Sequence, residues 1–75
     1  DFKMTATEKL SLLEEMLEMD EGTLKPELKL SELEQWDSMA KLSLIVLMED
    51  ECGKELKSGD IKQFVKVEDI LNFMD

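Results

Sequence analysis

DSMAKLSLIVLMEDECG, residues 37–53, contains the signals of one complete helix. Asp37 is a residue type that caps helix N-termini, and Gly53 can take the left-handed conformation in which many helices end. We therefore predict a helix that begins after Asp37 and runs to about Glu51. Ser38 then lies in the first turn, where the positive end of a helix favours a bound phosphate.

The two faces of this predicted helix differ in character. At about 100° per residue, one broad face is apolar and is expected to pack in the core. Its members are Leu44, Ile45, Leu47, Met48 and Cys52. The opposite face mixes apolar and acidic side chains and is expected to be exposed. It carries Met39, Ser43, Val46, Glu49 and Asp50.

A capping-box pattern marks a helix near the start of the chain. Thr5-Ala6-Thr7-Glu8 precedes apolar residues at helical spacing, so we predict a helix from about Thr7 to Met19 with Thr5 as N-cap. Gly22 is the expected terminator. The outer, solvated face of this helix is predicted to carry Glu14, Glu15 and Glu18.

The remaining segments complete an all-α chain. Residues 20–36 lack helical periodicity and form a long loop, which leucines tie down and which includes a brief helical turn near residues 31–34. Ser58-Gly59-Asp60 is expected to break the chain before a short turn at residues 61–64, and Val67 begins a final helix. We predict a small bundle of three main helices plus one short helix, in a single domain over residues 1–75.

Composition argues against self-contained catalysis. The 75 residues include no His, no Tyr and one Cys, so the chain lacks the most common general base and any Cys-His nucleophile. Its net charge of −10 repels nucleic acid and anionic lipid and favours partners with basic surfaces. No apolar stretch approaches the length of a membrane span, about 20 residues. We expect a monomeric cytoplasmic protein.

No metal site is predicted. Asp20-Glu21-Gly22 and Asp50-Glu51-Cys52-Gly53 both lack the ligand order of a calcium-binding loop.

Nearly the whole chain resembles the acyl carrier proteins. The similarity is carried by the helix of residues 10–17, the loop Gly22-Thr23-Leu24-Lys25-Pro26, the motif Trp36-Asp37-Ser38-Met39, and the helices at residues 44–51 and 67–74. In that family a serine in an Asp-Ser-Leu motif at the start of helix two bears a phosphopantetheine group. Here Met39 replaces the usual Leu, an exchange that conserves volume.

The resemblance implies a function for Ser38. A phosphopantetheinyl transferase is expected to join a 4'-phosphopantetheine arm to Ser38 through a phosphodiester, while Asp37 caps the helix and helps to position the arm. The arm would carry acyl groups as thioesters between enzymes of fatty-acid, polyketide or related biosynthesis. The acyl chain is expected to withdraw among Leu44, Ile45, Met48 and Leu71.

The resemblance also implies where partner enzymes bind. Acyl-loading, condensing and acyl-transfer enzymes with basic docking surfaces are expected to contact Met39, Val46, Glu49 and Asp50. Lys41 and Ser43 depart from the fatty-acid carriers, which tend to have acidic residues there. This departure argues against the role of a general fatty-acid carrier.

Two alternatives remain at this level. One is an aminoacyl carrier of the D-alanyl or peptidyl type, although the peptidyl type usually has a Gly-rich segment before the serine, which residues 34–37 lack. The other is an acidic helical protein-interaction module without a prosthetic group.

Overall fold

Four α-helices and one short 3₁₀ turn form the protein in the computed structural model, which describes residues 4–74. The helices are α1 (Ala6–Leu17), α2 (Ser38–Cys52), α3 (Ser58–Gln63) and α4 (Val67–Phe73), and the 3₁₀ turn is Leu30–Glu32. Helix α1 packs against both α2 and α4. The predicted all-α bundle with a long loop between its first two helices is confirmed.

Helix α1 begins as the sequence predicts but ends earlier. The Glu8 N–H donates to Thr5 Oγ1 at 3.2 Å, and the Thr5 N–H donates to Glu8 Oε1 at 2.9 Å, which completes the capping box. At the other end Glu18 takes the left-handed conformation with φ 59° and stops the helix after Leu17. The prediction that Gly22 is the terminator is wrong, because Gly22 lies in the turn that follows.

The core is built mainly from leucines and methionines that the helices turn inward. Leu13, Leu44, Met48 and Val67 are fully buried. The predicted inner face of α2 is confirmed, since its other members pack half-buried against this cluster: Ile45, Leu47 and Cys52. Burial of such side chains contributes about 1.5–3 kcal/mol each, so this face fixes the rotation of α2.

The start of the long loop is tied to α1 by a buried carboxylate. Glu14 Oε2 accepts hydrogen bonds from the backbone N–H groups of Gly22 at 2.8 Å and Leu24 at 3.0 Å. The prediction that Glu14 lies on the solvated face is wrong, because its side chain is buried. Helical spacing puts Glu14 close to the edge of the apolar stripe, and the returning loop covers it.

The end of the loop is tied to the segment before α4. The Leu30 N–H donates to the Val65 carbonyl and the Val67 N–H donates to the Leu28 carbonyl, both at 2.9 Å. These bonds make an isolated antiparallel bridge between Lys29 and Lys66. No strand is present in residues 4–74, so backbone pairing here serves only to anchor the loop.

Helix α3 is longer than predicted. Ser58-Gly59-Asp60 forms its first turn instead of breaking the chain. The Lys57 N–H donates to Asp60 Oδ2 at 3.0 Å, and this bond satisfies a backbone group that a helix start leaves free. Ile61 of this helix is buried in the core, at the side of the helix that lines a groove shared with α2.

Candidate functional site

Ser38 is the first residue of α2 and is exposed. Its neighbour Asp37 is the N-cap, and Asp37 Oδ1 accepts the Ala40 N–H at 2.9 Å. Both the N-cap at Asp37 and the helix stop at Gly53, with φ 64°, are where the sequence places them. Because Asp37 satisfies one of the free N–H groups, the helix start is well formed at the serine.

The chain is anchored on both sides of Ser38. On one side the Trp36 side chain packs half-buried against the core, and the Trp36 backbone N–H donates to the Leu33 carbonyl at 3.1 Å. On the other side Ala40, the third residue of α2, is buried. Lys41 Nζ lies 5.9 Å from the centre of the Trp36 ring, within the range of a cation–π contact. Ser38 is therefore presented to solvent from a fixed backbone.

A mostly apolar groove begins at Ser38 and lies between α2 and α3. Its volume is about 370 Å³. It is lined by Ser38, Lys41, Leu42 and Ile45 of α2 and by Ser58, Ile61 and Lys62 of α3. Of the residues expected to surround an acyl chain, Ile45 lines this groove, whereas Leu44, Met48 and Leu71 belong to the closed core.

The outer face of α2 is exposed, as its pattern predicts. Met39 is 70% exposed and Val46 is 59% exposed, and Glu49 and Asp50 lie in solvent near the end of the helix. Leu42, which is 60% exposed, adds a third large apolar side chain to this surface. We call Met39, Leu42, Val46, Glu49 and Asp50 the α2 surface.

Sequence reasoning missed Leu42 and the α3 side of the groove. Leu42 lies four residues after Ser38, on the same side of the helix, and this spacing is a signal that could have found it. The residues from α3 had no such signal, because only the packing of α3 against α2 brings Ile61 and Lys62 beside the serine.

The acidic side chains are unevenly distributed along α2. Its first turn contains no acidic residue, whereas residues 49–51 are Glu-Asp-Glu. At 1.5 Å per residue the acidic residues 49–51 begin about 16 Å along the helix from Ser38.

Within residues 4–74 no group of three or more side chains that could hold a metal ion is found. The helices described are too short or too polar to cross a membrane.

Three curated proteins are similar to the chain over most of its length. The acyl carrier protein of Campylobacter lari is 31% identical over 61 residues, which cover 81% of this chain and 79% of that protein. The acyl carrier protein of Campylobacter jejuni subsp. doylei is 29% identical over 65 residues, covering 87% and 84%. That of Campylobacter jejuni subsp. jejuni serotype O:23/36 is 31% identical over 61 residues, covering 81% and 79%. No family model and no solved structure matches the chain.

Fold and site together define a small all-α protein that presents one serine at a helix start. With these similarities in sequence, the chain belongs to the acyl carrier protein family. Membership of that family supports a carrier role.

Proposed function

We propose that Ser38 is the attachment point of a 4'-phosphopantetheine arm on which the chain carries acyl groups as thioesters. The observation that carries this proposal is the exposed position of Ser38 at the start of α2, between the anchored residues Trp36 and Ala40. Such a hydroxyl is open to a modifying enzyme, and the anchored backbone on either side fixes the point of attachment.

The attachment reaction uses Ser38 as an acceptor. Ser38 Oγ attacks the phosphorus atom of coenzyme A that bears the pantetheine unit, and a new O–P bond forms. The P–O bond to adenosine bisphosphate breaks, and the serine proton passes to a base of the phosphopantetheinyl transferase. The partner enzyme supplies this base and the metal ion. The adjacent carboxylate of Asp37 is engaged by the Ala40 N–H, which supports a structural role for Asp37 as the cap.

The local residues fit a phosphodiester on Ser38. The start of a 15-residue helix favours an anion, and its first turn adds no acidic side chain beyond the N-cap Asp37, whose carboxylate is engaged by the Ala40 N–H. When bound, the arm supplies a terminal thiol that holds acyl groups. The groove between α2 and α3 begins at the same serine and offers apolar contacts to a carried chain.

Partner enzymes dock, in this proposal, on the α2 surface. Exposed apolar side chains at Met39, Leu42 and Val46 would be covered by the partner, while Glu49 and Asp50 would meet its basic residues. A covalent arm raises the effective concentration of cargo at a docked enzyme, so weak docking suffices. The partners proposed are the transferase and the acyl-loading, condensing and acyl-transfer enzymes of fatty-acid, polyketide or related biosynthesis.

The charge of the chain supports a monomeric carrier. With a net charge of −10, copies of the protein repel one another at low ionic strength.

The attachment can be tested by intact mass. Co-expression with a broad-specificity phosphopantetheinyl transferase should add one phosphopantetheine to the protein, and Ser38→Ala should abolish the addition. Ser43→Ala is the matched control, because Ser43 is also an exposed serine of α2. Absence of added mass, or equal addition to Ser38→Ala, would show that the protein is not a phosphopantetheine carrier at this residue.

A further inference from the structure

The groove beside Ser38 has a charge opposite to that of the chain as a whole. The chain has 19 acidic and nine basic residues. Two lysines, Lys41 and Lys62, line the groove, and no acidic residue does. By contrast, the neighbouring cavity between α1 and α2 is bordered by Glu18 and Asp37. The groove is thus a locally basic site on an acidic protein.

Apolar side chains of two helices form the walls of the groove. Leu42 and Ile45 of α2 face it together with Ile61 of α3, and Ser38 lies on the same stripe of α2 four and seven residues earlier. Its volume of about 370 Å³ is in the range of sites that hold small ligands. An aliphatic chain would cover these three side chains.

The two lysines differ in their surroundings. Lys41 is half-buried with its Nζ over the Trp36 ring, and Lys62 is exposed. Within residues 4–74 neither side chain takes part in an ion pair. A methyl-ended aliphatic cargo offers these ammonium groups no anion, whereas a cargo with a carboxylate end can pair with them.

We propose that the groove selects acyl groups with an apolar middle and a carboxylate end, that is, half-thioesters of dicarboxylic acids. This inference rests on the proposed attachment of the arm at Ser38. The aliphatic middle covers Leu42, Ile45 and Ile61, and the terminal carboxylate pairs with the ammonium groups of Lys41 and Lys62.

The proposal can be tested by measuring how strongly the carrier protects two different thioester cargoes from cleavage by hydroxylamine. A broad-specificity transferase can load the arm from octanoyl- or suberoyl-coenzyme A, which differ in having a methyl or a carboxylate end. The rate of cleavage by hydroxylamine is measured for each carrier and divided by the rate for the same coenzyme A thioester. We expect suberoyl to be protected about two- to fivefold more than octanoyl at low ionic strength. Added salt should reduce the difference.

Variants assign the effect to the lysines. Lys41→Gln with Lys62→Gln should abolish the extra protection of suberoyl, whereas Lys25→Gln, an exposed lysine of the long loop, should preserve it. Equal protection of the two cargoes, or protection that does not depend on these lysines, would overturn the inference. If the lysine substitutions reduced the protection of both cargoes equally, the lysines would be pairing with the phosphodiester on Ser38, and the inference would also be overturned.

Intact mass separates this inference from the proposed function. Failure to add the arm at all would overturn the attachment at Ser38 and the inference with it. An arm that is added but gives equal protection overturns the inference alone.

Discussion

The carboxylate of Glu14 accepts the backbone N–H of Leu24 at 3.0 Å, although the two residues are ten positions apart. Both side chains are buried, and the same oxygen of Glu14 also accepts the Gly22 N–H. The contact fixes the first part of the loop on α1. From this contact the loop continues to the segment before α2.

Removing the Glu14 carboxylate should destabilise the protein. Glu14→Ala is expected to lower the free energy of unfolding by about 2–3 kcal/mol, because the buried Leu24 N–H loses its acceptor. Glu14→Gln keeps a side-chain oxygen and should lower it less. Urea denaturation measures both values. Glu15→Ala, an exposed neighbour on α1, is the control and should change stability by less than about 0.5 kcal/mol. Equal effects at the two positions would contradict the prediction.

Replacing the left-handed Glu18 by glycine should stabilise the protein. Glu18 has φ 59°, a conformation that an L-residue with a Cβ adopts at a cost of about 1–2 kcal/mol. Glycine removes this conformational cost, but part of the gain is offset by the greater flexibility of glycine in the unfolded chain. Glu18→Gly should therefore raise the free energy of unfolding by about 0.5–1 kcal/mol. Glu15→Gly removes the same charge inside α1 and should lower stability by about 1 kcal/mol. A loss of stability in Glu18→Gly would refute the argument.

Variants of Asp37 should separate helix capping from recognition. Asp37→Ala is expected to lower the free energy of unfolding by about 1 kcal/mol, because the Ala40 N–H loses its acceptor. Asp37→Asn keeps an acceptor oxygen and should be nearly as stable as the parent protein. If the carboxylate also attracts the transferase, Asp37→Asn should be modified severalfold more slowly despite its stability. Thermal unfolding and timed intact-mass measurements give the two quantities, and a strongly destabilised Asp37→Asn would disagree with the capping role.

The segment before α4 should make stability depend on acid pH. The backbone N–H groups of Lys66 and Val65 each donate to Asp69 Oδ2 at 2.9 Å, and these bonds lower the pKa of Asp69 below its usual 3.8. The ionised Asp69 carboxylate therefore contributes its full share of the folding stability at neutral pH, above its unfolded-state pKa. This stability is lost as the pH falls through the lower folded-state pKa of Asp69.

Substitution of Asp69 should remove this part of the pH dependence. Asp69→Asn is expected to melt at a lower temperature than the parent at neutral pH, and the difference should shrink below pH 3.8. Glu68→Gln removes one charge from the same turn of α4 and is the control. A difference in melting temperature that stays constant with pH would contradict the role of the carboxylate.

The α2 surface can be tested with two valines of equal exposure. Val46 and Val65 are both 59% exposed, but only Val46 lies on α2. With the broad-specificity transferase as the probe, Val46→Ser should raise KM for the carrier about fivefold, which corresponds to about 1 kcal/mol of docking energy. Val65→Ser should leave KM unchanged. Equal KM values for the two variants would place docking elsewhere.

Much of the fold could be predicted from local patterns. The capping box at Thr5 and Glu8, the cap at Asp37 and the stop at Gly53 are short-range signals, and each is confirmed. The end of α1 could not be predicted in this way. Glu18 takes a conformation unusual for its type, and the hydrogen bonds and packing of the following turn overrule the local preference.

The sequence by itself determined the all-α class, the start of α2 at Ser38 and the two faces of that helix, because caps and helical periodicity are local properties of the chain. Only the tertiary structure decided that Glu14 is buried and that Lys62 joins Lys41 beside the serine. The burial of Glu14 and the position of Lys62 both depend on contacts between segments far apart in sequence. The residue pattern along one helix does not specify which other segment packs against that helix.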